Sequence, residues 1–366
     1  MFDPARPVSD SFRAAIAEAI TGFLAEQSEV LTGIGRDAAP LADLAASFTA
    51  GGKRLRPAFC AWGWIAVDGI PADPAALVRA AASLDVLHVS ALVHDDVMDA
   101  SDTRRGQPAA HRQFAALHHD RGLRGDAAAF GRGGAILLGD LLLVWSQQMF
   151  RRSGLPSAAI ERAMPVLEAV LTEVTTGQFL DILAQARPAL DARTEPDAVL
   201  AQVRKVLEYK TARYTVIRPL QIGASLAGGS EQVLEALGGY GSAVGRAFQL
   251  RDDVLGVFGD AEVTGKSAGD DLREGKLTAL LAHALRLASP ADATTLAELA
   301  GRRDLTDSEV ARARRIIADS GALETVEAEI AETTSAAVAG LATAAITSEA
   351  REALTNLAAA AAHRTA

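Results

Sequence analysis

Apolar residues recur every three or four positions over most of this chain. Between positions 12 and 24 the spacing places Phe12, Ile16 and Ile20 on one face of a helix. The same pattern returns in four further segments, at 77–97, 135–150, 160–183 and 232–258. Proline is scarce, with 13 residues in 366, and aromatic residues make up only 5%, so little of the chain is suited to strands. The pattern predicts an all-α protein of long helices.

Each break between the helical segments is short, and the apolar spacing resumes directly after it. No repeat of fixed period and no long heptad array is found. We therefore expect one domain over residues 1–366, with helices packed around a cavity or core. The candidate functional motifs fall within 51–276, and amphipathic helices at about 290–366 are expected to be peripheral.

The charge balance excludes some classes of partner. There are 46 acidic and 36 basic side chains, giving a formal charge of −10, which argues against general binding to nucleic acid or to anionic membranes. A single cysteine, Cys60, cannot form an internal disulfide. The beginning of the chain lacks signal-peptide features, and apolar runs at 135–145 and 357–362 fall short of the ~20 residues of a membrane span. We expect a cytoplasmic protein without a transmembrane segment.

Three aspartates end one apolar helical segment. Asp95 and Asp99 are four residues apart and share a helical face, and Asp96 flanks them. Carboxylates at a helix C-terminus are disfavoured by the helix dipole and by each other, so their placement requires a reason. Hard oxygen ligands of this kind suit Mg²⁺ held jointly with substrate phosphates. The alternative is a solvated helix end that carries acids by chance.

A second acidic cluster ends another apolar segment, at 240–249. Asp252 and Asp253 follow Gln249, which lies on the face of Asp252, and Asp260 comes eight residues after Asp252. Two such clusters at the ends of separate helices could face each other and clamp metal ions between them. Two unrelated surface patches are the alternative.

Cations alternate with these acidic clusters along the chain. Lys53 and Arg56 follow a Gly-Gly turn, and Arg104 and Arg105 follow the first cluster within one short loop. Arginine suits bidentate contact with phosphate, and lysine supplies a point charge. The other candidate cations are Lys210, beside Thr211, and Lys266 and Lys276 in one loop-like stretch. Singly, each is more often a solvated surface charge, but the alternation favours phosphate binding.

In this order the motifs resemble those of the trans-isoprenyl diphosphate synthases, the polyprenyl synthetase family, and are most like bacterial geranylgeranyl diphosphate synthases. The matching segments are GKRLRP at 52–57, HVSALVHDDVMDASDTRRG at 88–106, GQFLD at 177–181, FQLRDDVLGVFGD at 248–260 and GKSAGDDLREGKLT at 265–278. The resemblance implies the isoprenoid synthase fold, a helical bundle around a deep central cavity, and a homodimer. It also implies condensation of isopentenyl diphosphate with an allylic diphosphate (dimethylallyl, geranyl or farnesyl), releasing pyrophosphate.

The resemblance also implies roles for individual residues. Mg²⁺, three ions per active site, would be bound by Asp95, Asp96, Asp99, Asp252 and Asp253. The allylic diphosphate would be contacted by Arg104, Lys210, Lys266 and Lys276, and the diphosphate of isopentenyl diphosphate by Lys53, Arg56, His88 and Arg105. Thr211 and Gln249 would stabilise the carbocation, and Gln178 and Asp181 would line the same site. The catalytic set is thus Asp95, Asp96, Asp99, Arg104, Lys210, Thr211, Gln249, Asp252 and Lys266.

One position departs from the family pattern, because Gly256 stands where many members have a third aspartate in the second motif. Product length is expected to depend on the helix before Asp95, where the growing chain would run. The candidate chain-length residues are Leu84, Leu87, Ser90 and Ala91. Farnesyl-forming members commonly carry an aromatic residue at one of the last two positions, so two small residues favour geranylgeranyl diphosphate as the product.

Other functions stay open at this point. A synthase of longer or shorter chains differs only in pocket depth. A class I terpene cyclase shares the first acidic motif, although its usual second motif is absent from 251–260. A non-catalytic partner subunit generally loses one acidic motif, and both survive here.

Overall fold

Helices make up nearly all of the computed structural model, which describes residues 1–186, 196–259 and 269–363. The all-α prediction is confirmed. The helices are α1 Asp10–Ile34, α2 Ala39–Thr49, α3 Leu55–Asp68, α4 Ala75–Met98, α5 Ala110–Asp120, α6 Ala127–Arg151, α7 Ser157–Gln185, α8 Pro196–Val206, α9 Arg218–Leu226, α10 Glu231–Phe258, α11 Asp270–Glu274, α12 Ala279–Leu287, α13 Pro290–Leu299, α14 Asp307–Asp319, α15 Ala322–Ala342 and α16 Ser348–Ala362. A 3₁₀ turn, Arg36–Ala38, precedes α2, and a π-helix, Leu207–Ile217, joins α8 to α9. A short hairpin follows α4, with β1 Thr103–Arg104 antiparallel to β2 Gln107–Pro108.

Helix α4 runs through the larger buried cluster, which also draws on α1, α3, α6, α7, α9, α10 and α16. Leu77, Val86 and Val93 along its length are all buried. Since the helix is apolar on nearly every side, it has a low free energy only inside a core. Its C-terminal end, with Asp95 and Asp99, leaves this core and meets the cavity described below.

Helices α3 and α9 cross with their backbones in direct contact. A Cβ atom added to Gly63 would lie 2.9 Å from the carbonyl carbon of Leu220, and one added to Gly223 would lie 2.8 Å from the carbonyl carbon of Cys60. Only glycine allows so close an approach at these positions. The crossing fixes α3, which carries Arg56, against α9, the helix that follows the π-helix.

A buried ion pair holds the loop before α3. Arg54, in a left-handed backbone conformation with φ 53°, pairs with Asp85 of α4 and donates to the carbonyl oxygen of Thr49 at 2.7 Å. Both charged side chains are almost completely buried. Arg54 is therefore a structural residue, although it belongs to the same cationic run as Lys53 and Arg56.

The π-helix is held by an ion network on α7. Glu173 accepts from Arg213 at 2.7 Å and from Arg218 at 2.8 Å, and Arg213 also donates to Glu208 at 2.9 Å. Hydrogen bonds from residue i to i+5 are rare over so long a segment and occur most often at functional sites. Here the segment carries Lys210 into the cavity.

The helices after position 290 pack closely on α3 and α10. The Tyr240 hydroxyl donates to the carbonyl oxygen of Leu354 at 2.7 Å, and the Thr347 hydroxyl donates to that of Ile65 at 2.7 Å. Arg251 pairs with Glu327 at 2.6 Å. Buried side chains of α13, α14 and α15 share a second apolar cluster with α10, and those of α16 belong mostly to the larger cluster. These helices therefore contribute more to the core than the expected peripheral placement would allow.

Two helices, α4 and α6, have the length and composition of a membrane span, whereas the sequence analysis expected no apolar run of that length. In α4, 72% of the apolar window is buried inside the protein, as in the core helix of a folded domain. In α6 only 28% is buried, and Ile136, Leu137 and Val144 are exposed. Side chains at 137 and 144 are two helical turns apart, so they form one apolar stripe on α6.

Replacing Gly223 with alanine should destabilise the protein by roughly 1–3 kcal/mol, because the added methyl group overlaps the α3 backbone. Urea unfolding would measure the change. Gly22 in α1 is the matched control: open space surrounds it, so Gly22→Ala should be neutral or stabilise by up to about 1 kcal/mol. Equal stability of Gly223→Ala and the unmodified protein would contradict the close crossing.

Candidate active site

A cavity of about 510 Å³ lies between α4, α7, the π-helix and α10. The predicted site residues that line it are Arg56, His88, Asp95, Gln178, Lys210, Thr211, Gln249 and Asp252. The structure thus brings one aspartate of each acidic motif to the same cavity, together with residues of the motifs at 52–57 and 177–181. Its apolar wall includes Val174, Phe179 and Ile182 of α7.

Asp95 is tied to the two motif residues of α7. Its carboxylate accepts a hydrogen bond from Gln178 and lies 4.0 Å from Nζ of Lys210. Lys210 in turn donates to Asp181 at 2.6 Å. The lysine therefore lies between two carboxylates, and it reduces the repulsion that would otherwise build up on this side of the cavity.

Asp96 points to Arg104 instead of the cavity. Nε of Arg104 donates to its Oδ1 at 2.9 Å, and its Oδ2 is buried with no hydrogen-bond partner among the residues that the structure describes. Burial raises the pKa of Asp96, and Arg104 acts in the opposite direction. Its predicted role as a metal ligand stays a prediction, as does the contact of Arg104 with a diphosphate.

Asp99 caps the C-terminus of α4 one turn after Asp95. The residue as a whole is exposed, but the withdrawal of its carboxyl group from solvent, followed by the charge of Asp95, raises its pKa to about 6. Lys210 opposes this effect. A cation bound beside Asp95 and Asp99 would favour the ionised form of this group.

The second acidic motif divides between two environments. Asp252 lines the cavity, whereas Asp253 is buried, with 2% of its surface exposed. Oδ1 of Asp253 accepts from Gln249 at 2.9 Å and lies 3.7 Å from Nζ of Lys276. Burial raises the pKa of Asp253 to about 6, against the effect of Lys276. Asp253 thus holds the side chain of Gln249, which lines the cavity. Its binding of metal stays a prediction.

Gln249 connects this buried group to the cavity wall. Its Oε1 accepts from the hydroxyl of Thr211 at 2.8 Å while its Nε2 donates to Asp253. These bonds fix the orientation of the Gln249 amide and direct the Thr211 proton towards it. Burial lowers the pKa of Lys276, but the charges of Asp253 and Asp271 have a larger effect and raise it above its usual value. The lysine therefore stays protonated.

The acidic residues fit Mg²⁺ that is shared with a substrate. Within the described ranges, no three acidic, histidine or cysteine side chains converge into a ready-made metal cage. Mg²⁺ usually takes one or two carboxylates, keeps several waters and binds substrate phosphates, so it does not need such a cage. The unpartnered Oδ2 of Asp96 and the raised pKa of Asp99 fit a site completed by a cation.

A cationic group lies on another side of the cavity. Arg56 donates to the hydroxyl of Thr215 at 2.8 Å, and its guanidinium stacks 4.1 Å from the centre of the Tyr214 ring. Its Nε and the Nδ1 of His88 are buried without partners among the described residues. Burial, and then the charges of Arg56 and Arg105, lower the pKa of His88 well below its usual value. A neutral histidine beside unsatisfied arginine donors is suited to an anion.

Lys53 and Arg105 lie farther from the cavity. Arg105, at φ 53°, donates to the carbonyl oxygen of Gly51 at 2.9 Å and packs on Gly52. Lys53 lines a neighbouring cavity of about 540 Å³, which shares Phe248 with the first. Both cations flank the Gly-Gly turn. Lys266 and Asp260 lie outside the residues that the structure describes.

The chain-length residues have different environments. Ala91 lines the cavity, whereas the Ser90 hydroxyl donates to the carbonyl oxygen of Gly139 in α6 at 2.7 Å. Leu84 and Leu87 are buried in the core, and neither lines the cavity. Ser90, a candidate chain-length residue in the sequence analysis, faces α6 instead of the cavity, because one residue along a helix rotates the side chain by about 100°. Of the four, Ala91 is the one that lines the cavity, and its role in limiting chain length stays a prediction.

The sequence analysis missed several residues at this site. Tyr214 and Thr215 support Arg56, yet neither belongs to a motif. His94 lines the cavity, and its Nε2 lies 3.2 Å from Asp140 in α6. The position of His94 directly before Asp95 was a signal that could have identified it.

Comparisons with known proteins identify a family for this chain. The Polyprenyl synthetase family profile matches residues 39–317. A short chain isoprenyl diphosphate synthase from Methanothermobacter thermautotrophicus is 34% identical over 280 residues, 76% of this chain and 77% of that protein. A geranylgeranyl diphosphate synthase from Methanosarcina mazei is 32% identical over 278 residues, 76% of this chain and 75% of that protein.

A solved structure extends the similarity to nearly the whole chain. It is a geranylgeranyl pyrophosphate synthase from Corynebacterium glutamicum, complexed with isoprenyl diphosphate and magnesium. It is 40% identical, with a TM-score of 0.89, and the match covers 97% of this chain and 99% of that one. Relatives from Aeropyrum pernix and Mycobacterium tuberculosis are named geranylfarnesyl and nonaprenyl diphosphate synthases, so the family spans several product lengths.

In the metal-free protein, the free energy of unfolding of Asp99→Asn relative to that of the unmodified protein should increase as pH rises. The folded state keeps the Asp99 proton up to a pKa of about 6, above the ordinary value of 3.8, so the contribution of this group is present at low pH and is lost as pH rises through about 6. Urea unfolding in a chelator at several pH values would measure the difference. Asp319→Asn, at an exposed site on α14, is the control. A pH-independent difference for Asp99→Asn would contradict the raised pKa.

Proposed function

This chain belongs to the polyprenyl synthetase family and is a trans-prenyl diphosphate synthase, and on that premise we propose that it condenses isopentenyl diphosphate with an allylic diphosphate to give geranylgeranyl diphosphate and pyrophosphate. The observation that carries the proposal is the composition of one cavity: Asp95 and Asp252 from separate helices line it together with Arg56, His88 and Lys210. Two diphosphates of different roles therefore have separate partners.

The acidic side of the cavity would hold the allylic diphosphate. Asp95, Asp99 and Asp252, with Asp96 and Asp253 as the further candidates, would bind three Mg²⁺ ions, as the family resemblance implies. When bound, Mg²⁺ stabilises the negative charge that develops on the departing diphosphate. Lys210 lies between Asp95 and Asp181, within reach of the same oxygens. Arg104, Lys276 and Lys266 are proposed as additional contacts.

The cationic side would hold the diphosphate of isopentenyl diphosphate. The buried Nε of Arg56 and Nδ1 of His88 have no partner among the described residues, and a phosphate oxygen would satisfy them. Arg105 and Lys53, on either side of the Gly-Gly turn, would complete this site. A terpene cyclase has a single diphosphate to bind, so a second cationic site favours the synthase.

The cavity wall also suits the chemical step. The C–O bond of the allylic diphosphate breaks and its electron pair leaves with the diphosphate. The double bond of isopentenyl diphosphate attacks the allylic cation and forms the new C–C bond. The resulting cation loses a proton to the released pyrophosphate, and this loss restores a double bond. Oxygens of Thr211 and Gln249 supply fixed dipoles beside the cation, and the apolar residues of α7 exclude water.

A homodimer is part of the same proposal. Helix α6 exposes Phe130, Ile136, Leu137 and Val144, between 41% and 63% of each side chain's surface. A contiguous exposed apolar stripe is typical of an interface with another protein. A second copy of the chain would bury it, and a monomer in sedimentation at micromolar concentration would contradict this assignment.

Incubation with isopentenyl diphosphate, Mg²⁺ and each of three primers (dimethylallyl, geranyl and farnesyl diphosphate) should yield prenyl products, with geranylgeranyl diphosphate as the end product. Asp252→Asn should lower kcat by about a hundredfold or more, because it removes a proposed metal ligand. Asp319→Asn, far from the cavity, is the matched control. No product with any primer would contradict the proposed function.

Replacing Ala91 with phenylalanine should shorten the product to farnesyl diphosphate or less, because the ring would fill the cavity below Asp95. Chromatography of the products would show the change. Ser90→Ala is the control, since its side chain faces α6, and the product length should stay the same. An unchanged product from Ala91→Phe would exclude Ala91 as the limit of the pocket.

A further inference from the structure

The His94 side chain of α4 lies against the backbone of α6 at Gly139. A Cβ atom added to Gly139 would overlap the His94 ring, at 2.7 Å from Cε1, and its three nearest atoms all belong to that ring. The Ser90 hydroxyl, one helical turn earlier on α4, donates to the carbonyl oxygen of Gly139 at 2.7 Å. Because glycine has no side chain, both groups reach the α6 backbone at this residue.

Nε2 of His94 meets two oxygens of α6. It lies 3.1 Å from the carbonyl oxygen of Ile136 and 3.2 Å from Oδ1 of Asp140. Both oxygens are acceptors, so Nε2 carries a hydrogen that it shares between them. The His94 side chain is 27% exposed, although Asp140 itself is on the surface of the protein. The ring is thus held on α6 by its fit at Gly139 and by polar contacts with residues on either side of that glycine.

His94 directly precedes Asp95, and the two side chains are held by different elements. Asp95 contacts Gln178 of α7 and Lys210 of the π-helix, whereas His94 contacts α6. Both His94 and Asp95 line the same cavity. Successive residues on a helix point about 100° apart, so these contacts hold the last turns of α4 from two directions. Rotation of this helix end would move the Asp95 carboxylate and would also break the contacts of His94.

The charges at the end of α4 make such an anchor necessary. Asp95, Asp96 and Asp99 repel one another, and the helix dipole disfavours all three. Fraying or bending of the last turn would relieve the repulsion, but it would also separate carboxylates that are proposed to bind Mg²⁺ together. Contacts that hold the helix end in place therefore act on the geometry of the site.

We infer that His94 is a positioning residue for the metal-binding end of α4, and that Gly139 is the place on α6 that receives its ring. The Nε2 donor and the fit of the ring together keep the Asp95 carboxylate at the cavity. The inference rests on the proposed function, in which Asp95 binds Mg²⁺ together with the allylic diphosphate. It requires no contact between His94 and either substrate.

Three substitutions of His94 separate the ring from its donor. His94→Gln keeps an N–H group at a similar reach, His94→Phe keeps a ring without a donor, and His94→Ala removes both. Gly139→Ala leaves His94 unchanged but forces its ring away from α6. Gly239→Ala is the matched control, since Gly239 lies on α10 in open space. If His94→Ala does not fold, His94→Phe and Gly139→Ala carry the test.

Four quantities are measured for each variant. They are KM for farnesyl diphosphate, KM for isopentenyl diphosphate, the calorimetric affinity for inorganic pyrophosphate with and without Mg²⁺, and Tm. His94→Ala, His94→Phe and Gly139→Ala should each raise KM for farnesyl diphosphate by about tenfold, the loss expected for one hydrogen bond. They should weaken pyrophosphate binding by a similar factor with Mg²⁺ and leave it unchanged without Mg²⁺.

The other quantities distinguish positioning from general damage. KM for isopentenyl diphosphate should stay within about twofold, because Arg56 is held by Thr215 and Tyr214 and not by α6. His94→Gln should recover to within about threefold of the unmodified protein. Gly139→Ala combined with His94→Ala should be no worse than His94→Ala alone, since the added methyl group then has no ring to displace. Gly239→Ala should change none of the four.

The inference is wrong if His94→Ala and His94→Phe keep farnesyl diphosphate KM and pyrophosphate affinity within about twofold at unchanged Tm. It is equally wrong if both KM values rise together while Tm falls, because His94 then supports only the fold, or if His94→Gln is as impaired as His94→Phe. If the unmodified protein transfers no prenyl group but the Mg²⁺-dependent pyrophosphate affinities follow the expected pattern, the proposed function fails and the inference about His94 stands.

Discussion

Repulsion between carboxylates at the end of α4 is the constraint on which the rest of the site depends. A helix that crosses an apolar core and ends in Asp95, Asp96 and Asp99 brings like charges together where its own dipole disfavours them. Two of these charges are met by partners from other elements, Asp95 by Gln178 and Lys210, and Asp96 by Arg104. The elements around α4 are thus drawn to one point by charge as well as by apolar burial.

Most of the architecture could be predicted because its signals are local. Helical spacing gives the helices, and the motif residues Asp95, Lys210, Gln249 and Asp252 do meet at one cavity. Long-range pairing has no such signal. Nothing in the sequence distinguishes Arg54, which pairs with buried Asp85, from its cationic neighbours.

The sequence analysis did not predict which of two neighbouring small residues faces the cavity, and it omitted two residues that line it. Ser90 and Ala91 are equivalent as small residues, and only the orientation of α4 decides that one faces α6 and the other the cavity. Tyr214 and Thr215 were missed because they belong to none of the matching motifs, although each lies four residues after a predicted site residue, Lys210 or Thr211, and all four line the same cavity.

The different environments of Ala91 and Ser90 on α4 have an evolutionary consequence. Ala91 lines the cavity, whereas Ser90, one residue earlier, makes a buried hydrogen bond with α6. Under the proposed function, mutations that alter the product and mutations that weaken the fold would therefore fall on adjacent but separate positions. A lineage descended from this chain could then change product length through substitutions at position 91, while natural selection for stability acts on position 90.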